Sequence, residues 1–295
     1  MADLSQALSD AAAKVEATLD GILARDGAPD TRIFEAMRYA ALGGGKRLRP
    51  FLVLQSASLF DVPEGCALNT GAALELIHCY SLVHDDLPAM DDDDLRRGKP
   101  TVHKQFDDAT AILAGDAMLT MAFEVLAAPE THPDPTVRIA LTGAIAQAAG
   151  ARGMVGGQMI DLEAETKTLD LDEITQLQRL KTGALIGFAC QAGAIMGTAP
   201  EDARTALRDY ARDLGLAFQI ADDLLDVEGS VEETGKAVNK DADAGKETFV
   251  SLLGVSGARD TANELVDRAI SHLSVFDDRA DLLRQTARFV VDRRY

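Results

Sequence analysis

The chain has 295 residues, 47% of them hydrophobic, enough for a large core in one big domain or two modest ones. Asp and Glu number 48 against 29 Lys and Arg, a net charge of −19, which excludes a general nucleic-acid or membrane-surface binder. Three cysteines, Cys66, Cys79 and Cys190, are too few and too scattered for a disulfide framework or a zinc site, and fit a reducing cytoplasm.

The first 25 residues have no basic segment leading into an apolar core, so no signal peptide is expected. No uninterrupted apolar run of about 18 residues occurs, so no membrane span is expected either. Aromatics are only 5% and Ala, Leu, Asp and Glu abound, which is helix-forming material with little strand signal. Apolar residues recur at three- and four-residue intervals, from Leu4, Leu8, Ala11, Val15 and Leu19 to Leu214, Ala217, Phe218, Ala221 and Leu225. Breaks fall at Gly43 to Gly45, Asp61 to Gly65, Gly98 to Pro100, Pro129 to Pro135, Gly197 to Pro200 and Gly229 to Lys246. This punctuation predicts roughly ten to twelve helices in one all-α domain over residues 1–295.

Gly43-Gly-Gly-Lys46-Arg47-Leu-Arg49-Pro50 is the first candidate site. It follows a helical segment and Lys46 precedes an arginine, so it is not a P-loop. Two readings stay open at this point: a helix C-cap with solvated arginines, or a basic clamp for an anion.

The first acidic cluster is Asp85-Asp86-Leu-Pro-Ala-Met-Asp91, extended by Asp92 to Asp94 and followed by Arg96 and Arg97. Two like charges about 4 Å apart cost roughly 4 kcal/mol at an effective dielectric of about 20. Crowding of this kind beside apolar segments points to a divalent cation, and hard oxygen ligands suit Mg²⁺ shared with phosphate oxygens. Asp85 and Asp91 lie about 120° apart on a straight helix, and Pro88 supplies the kink or stop that re-aims the second. His84-Asp85 also resembles the metal pair of an HD-type phosphohydrolase, but that site wants further histidines upstream and the nearest is His78.

Lys181-Thr182-Gly183 sits inside a helical segment whose glycine permits a kink that would aim Lys181 and the Thr182 oxygen into a cavity. The second acidic cluster, Asp222-Asp223-Leu-Leu-Asp226, puts Asp222 and Asp226 on one helical face with Gln219 one turn earlier. A solvated acidic patch would read the same way in isolation; two such clusters in one chain favour a Mg²⁺–diphosphate enzyme. The polar stretch 227–247 that follows is longer than most loops and suits a lid, with Lys236 and Lys246 available for phosphate.

The strings GGKRLRP (44–50), YSLVHDDLPAMDDDDLRRGKPTVH (80–103), GGQMIDLEAE (156–165), KTGALI (181–186), GLAFQIADDLLD (215–226) and TGK…DADAGKETF (234–249) together resemble the trans-polyprenyl diphosphate synthase family, most of all its bacterial farnesyl type. The resemblance covers most of the chain. It implies an all-α, isoprenoid synthase-type bundle of long helices around a deep central cavity, commonly homodimeric, with both aspartate motifs facing each other at the cavity mouth. It implies that Asp85, Asp86, Asp91, Asp222, Asp223 and Asp226 organise about three Mg²⁺ ions on an allylic diphosphate. Arg96, Lys181, Lys236 and Lys246 would bind that diphosphate, and Lys46, Arg49, His78 and Arg97 would hold isopentenyl diphosphate. Thr182 and Gln219 would turn oxygen dipoles towards the developing cation. Residues just before the first aspartate, Tyr80 and Ser81, would floor the cavity and set chain length. Tyr80 favours farnesyl diphosphate made from dimethylallyl and geranyl diphosphate, with geranylgeranyl diphosphate as the runner-up. A terpene cyclase would need no isopentenyl diphosphate site, and a non-catalytic partner subunit typically loses one motif. The chain departs from the family's lysine-aromatic-proline ending, reading Lys246-Glu-Thr-Phe249-Val250.

Overall fold

The computed structural model describes residues 3–24, 31–164, 166–228 and 247–292. Lys236 and Lys246, with most of the polar stretch 227–247, lie outside them. Helices supply nearly all regular structure, in two compact units that meet in sequence at Thr142 and Gly143.

The first unit holds α1 (Leu4–Leu23), α2 (Arg32–Ala41), α3 (Leu48–Ser58), α4 (Glu64–Asp85), a hairpin of β1 (Leu95–Arg96) and β2 (Lys99–Pro100), α5 (Val102–Gln105), α6 (Asp108–Ala127) and the start of α7 (Pro135–Ala149). Asp3 caps α1 through the Ser5 N–H, and the predicted stripe buries Ala11, Val15 and Leu19. α4 is apolar nearly all round, as a helix enclosed by others must be, and packs against α3 and α6. By length and composition α6 is the one described helix that could cross a membrane; Thr110, Ala111, Ala114, Met118, Ala122 and Val125 bury one side of it, while Ile112 and Leu113 remain exposed.

The second unit holds the rest of α7, α8 (Met154–Glu163), α9 (Leu171–Gln178), a π-helical segment (Arg179–Gly183), α10 (Ala184–Met196), α11 (Glu201–Glu228), α12 (Phe249–His272) and α13 (Asp281–Asp292). α11 is 28 residues long and packs along α12. Buried Asp213 staples the pair, accepting from Arg268 at 2.8 Å and facing His272 Nε2 at 3.0 Å. Thr248 and Ser251 cap α12 reciprocally, so helix initiation does not need the absent proline at 250, where the N–H has no intrahelical partner in any case. Helical geometry breaks once inside α12, at Gly254.

Five predicted breaks coincide with turns or ends of described elements, Gly43 to Gly45 and Gly197 to Pro200 lying wholly between helices. The all-α expectation holds, with two local departures. One is the hairpin, in which Arg97 (φ 53°) and Gly98 (φ 74°) both adopt the positive φ of a tight two-residue turn. The other is the break between α7 and α8 at residues 150–153, which the Gly/Pro punctuation above does not include.

Candidate active site

In the first unit α4 ends at Asp85, and Pro88 lies in the turn beyond it rather than in a kinked helix. The turn closes on itself, the Asp91 N–H donating to the Asp85 carbonyl at 2.8 Å. Two aspartates six apart therefore become backbone neighbours. Asp85 is half-buried and Asp91 exposed. Asp86 differs: it is buried, and Arg96 Nε donates to its two oxygens at 2.9 and 2.8 Å while Nη2 donates to Oδ1 at 2.6 Å. Burial pushes the Asp86 carboxyl up and the Arg96 guanidinium pulls it back, with a net rise. The hairpin makes this contact possible by carrying Arg96 back over the end of α4. Thr101 anchors its return, donating from Oγ1 to the Asp93 carbonyl at 2.8 Å.

The hairpin also aims Arg97 at the glycine-rich segment, where its Nη1 donates to the Gly44 carbonyl. Of the three basic residues in that segment, Arg47 turns inward. It takes a left-handed conformation at the start of α3 (φ 49°) and its guanidinium is fully buried against Glu75 at 2.7 Å and the Ala41 carbonyl at 2.6 Å. The clamp read from the sequence is thus reduced to Lys46, which is exposed, and Arg49. Arg49 Nη1 lies 3.2 Å from His78 Nε2. A guanidinium only donates, so Nε2 must accept and the ring proton sits on Nδ1. Burial, reinforced by Arg49, Arg97, Arg96 and Arg47, holds the His78 imidazole well below its ordinary pKa, so it is neutral at pH 7. A locally basic pocket around a neutral histidine has formed in a strongly acidic chain.

One turn on from His78, Ser81 Oγ donates to the His78 carbonyl, and Tyr80 is buried with its ring edge-on to His84 at 5.7 Å. Burial and then the Asp85 charge raise the Tyr80 phenol. His84 Nε2 donates to the Ile112 carbonyl at 3.0 Å, and among the described residues no further histidine or carboxylate gathers with it to form the metal centre of an HD-type phosphohydrolase. Burial pushes the Cys79 thiol up to about 12, which leaves it an inert packing residue.

In the second unit the π-helical segment Arg179–Gly183 realises the predicted irregularity at Lys181 and Thr182. Such bulges re-aim side chains within a helix. Two close backbone crossings hold it. A Cβ on Gly157 of α8 would lie 2.2 Å from the Lys181 nitrogen, and one on Gly215 of α11 would lie 3.2 Å from the Gly183 Cα. Lys181 Nζ reaches Asp161 Oδ2 of α8 at 2.8 Å. Asp161 was not singled out as a site residue; its signal was a buried carboxylate in the otherwise apolar start of GGQMIDLEAE. Thr182 Oγ1 donates to Gln219 Oε1 at 3.2 Å, and Gln219 Nε2 donates to Asp223 Oδ1 at 3.0 Å. Asp223 Oδ2 accepts from the Phe249 N–H at 3.0 Å. Asp222 and Asp226 are half-buried, whereas Asp223 is buried.

Each unit therefore carries one aspartate motif with a buried, protein-bonded second aspartate and more accessible outer ones. Among the described residues, no three His, Cys, Asp or Glu side chains gather closely enough to enclose a metal by themselves. Oxygen donors few in number and partly open fit Mg²⁺, which keeps several water or phosphate ligands.

The polyprenyl synthetase family profile matches residues 30–284, and the chain belongs to that family. Its relatives include the farnesyl diphosphate synthase of Haemophilus influenzae, 45% identical over 285 residues that span 95% of this chain and 94% of that one. The farnesyl diphosphate synthase of Escherichia coli is 45% identical over 90% of each chain. Among solved structures, an FPP/GFPP synthase from Zymomonas mobilis superposes with a TM-score of 0.90 at 54% identity, covering 98% of this chain and 99% of that one. The expected family and fold are both borne out.

Proposed function

We propose that the chain is a Mg²⁺-dependent farnesyl diphosphate synthase, which condenses isopentenyl diphosphate with dimethylallyl and then geranyl diphosphate. The observation that carries this reading is the pairing of an aspartate turn with a basic pocket around neutral His78 in one unit, within a family whose relatives here are farnesyl diphosphate synthases.

By the family resemblance, Asp85 and Asp91 of the first unit and Asp222 and Asp226 of the second would each present carboxylates to Mg²⁺, about three ions in all, and an ion that takes one or two carboxylates suits these partly open motifs. When bound, the metal neutralises charge building on the departing diphosphate. Asp86 serves the same site by fixing Arg96. Arg96 and Lys181 bind the allylic diphosphate, Lys181 exchanging its Asp161 contact for it; Lys236 and Lys246, outside the described residues, join them by resemblance. Lys46, Arg49, Arg97 and the His78 Nδ1–H hold isopentenyl diphosphate, Arg49 and His78 orienting one another. Carbon–oxygen cleavage leaves an allylic cation, which the oxygens of Thr182 and Gln219 stabilise. The double bond of isopentenyl diphosphate attacks it, and the proton then lost goes to the departing diphosphate. An apolar cavity excludes water from the cation. Tyr80 and Ser81 end that cavity.

One domain over 1–295 and a homodimer complete the reading; exposed Ile112 and Leu113 on α6, with Ile139 on α7, support a covered apolar face. Three free thiols support a cytoplasmic setting. The net charge of −19 speaks against nucleic acid as a partner. Because the Zymomonas relative is described as an FPP/GFPP synthase, chain length rests on Tyr80 more than on the fold, and a C20 product is the runner-up. The test is incorporation of labelled isopentenyl diphosphate into a prenyl diphosphate with dimethylallyl diphosphate as primer. Incorporation that needs Mg²⁺ and stops with EDTA supports the reading; none with either ion condition refutes it.

A further inference from the structure

Thr182, Gln219, Asp223 and Phe249 form one directed chain of hydrogen bonds. Thr182 Oγ1 donates to Gln219 Oε1, Gln219 Nε2 donates to Asp223 Oδ1, and the Phe249 N–H donates to Asp223 Oδ2, at 3.2, 3.0 and 3.0 Å. Asp223 is only 4% exposed, while Asp222 and Asp226 on either side are half-buried. Both Asp223 oxygens thus already serve protein donors. An ionised carboxylate can only accept. It therefore obliges the Gln219 amide to turn its NH₂ towards Asp223 and its oxygen away, and that oxygen in turn claims the Thr182 proton. The carboxylate charge polarises the amide and hydroxyl along the chain, enriching both oxygens in electron density.

We propose that Asp223 is a positioning residue rather than a metal ligand: it sets the Gln219 amide and the Thr182 hydroxyl so that oxygen, not hydrogen, meets the allylic cation. This rests on the function proposed above. Its second oxygen holds the first turn of α12, so one side chain links the acidic helix, the π-helical segment and α12. With Asp223→Asn the site gains a donor in place of an acceptor. Either the Gln219 or the Phe249 contact becomes donor against donor, and the amide of Gln219 is free to flip.

The experiment compares wild type, Asp223→Asn, Gln219→Leu and the double variant with geranyl and isopentenyl diphosphates. Calorimetry with the unreactive probe geranyl S-thiolodiphosphate in Mg²⁺ supplies a readout independent of turnover. Expected for Asp223→Asn are a fall in kcat of about 10²-fold, the size of losing one oriented dipole, with KM and probe affinity within threefold. In the Gln219→Leu background the same change should alter kcat less than threefold, since the relay is already cut. A tenfold loss of Mg²⁺-dependent probe binding, or independent multiplicative losses in the double variant, would overturn the proposal. If Asp223→Asn loses helicity, Asp223→Glu carries the test. It keeps charge and acceptors, so probe affinity should hold while kcat falls, and a tenfold weaker probe would again overturn it. Wild type that binds the probe yet makes no chain sinks the functional reading and this inference together; normal wild-type condensation with weakened probe binding in the variants sinks only this inference.

Discussion

Gly157→Ala tests whether the crossing of α8 over the π-helical segment sets the reactive geometry. The added Cβ would meet the Lys181 nitrogen at 2.2 Å, the Lys181 Cα at 2.6 Å and the Leu180 carbonyl carbon at 2.8 Å. Ordinary contact begins at 3.4 Å, a shortfall of about 1.2 Å against backbone atoms, which cannot rotate away. The π-helical segment must therefore shift, taking Lys181 and Thr182 with it. A misplacement of about 1 Å at a reacting site costs on the order of 10²-fold in rate, or about 2.7 kcal/mol in the barrier. Overpacking should also cost about 1–3 kcal/mol of stability. Steady-state kinetics with geranyl and isopentenyl diphosphates, beside urea denaturation, read both. Gly143→Ala is the control: in α7 its Cβ would meet nothing within 4 Å, so kcat should hold while stability rises by about 0.5–1 kcal/mol. Gly157→Ala with kcat within twofold of wild type and unchanged stability would mean that the crossing of α8 does not set the position of Lys181 and Thr182.

Asp85→Ala and Asp222→Ala should each lower kcat by on the order of 10²–10³-fold with helicity intact by circular dichroism; near-normal rates would remove the carboxylates from the metal site. Tyr80→Ala should lengthen the product seen by chromatography of the hydrolysed chains, because the ring sits five residues, about 7.5 Å, before Asp85 along α4; an unchanged length would take Tyr80 out of the floor. His78 gives a pH signature. Unfolded histidine gains a proton near pH 6.5 and native His78 does not, so stability falls as pH drops through 6.5 and the effect vanishes above it. Between pH 7 and 5.5 wild type should lose on the order of 1 kcal/mol more than His78→Asn in urea titrations; equal losses would mean that native His78 also protonates.

The acidic clusters were legible in the sequence because like charges crowded into apolar helices need a reason. The stripes that buried Val15, Leu19, Leu214 and Ala217 were legible because helical period alone fixes a face. Gly183 announced an irregular helix at Lys181, and the π-helical segment supplies it. What stayed hidden depends on contacts between distant segments. Nothing local marks Arg97 for a positive φ, so the hairpin that brings Arg96 to Asp86 was invisible. Arg47 looked like its basic neighbours until its partner, Glu75, arrived from α4, and Asp161 gained meaning only through Lys181, 20 residues on. The resemblance groups Asp86 and Asp223 with the outer aspartates around Mg²⁺; their burial and their bonds to Arg96 and Gln219 depend on folding and set them apart.

A farnesyl diphosphate synthase elongates allylic diphosphates and stops at fifteen carbons. Purified protein incubated with Mg²⁺, labelled isopentenyl diphosphate and either dimethylallyl or geranyl diphosphate, followed by sizing of the product chains, tests this activity most directly. A C15 diphosphate should form from both primers. A C20 or longer chain would contradict the Tyr80 floor, and free diphosphate without any new chain would contradict the synthase itself.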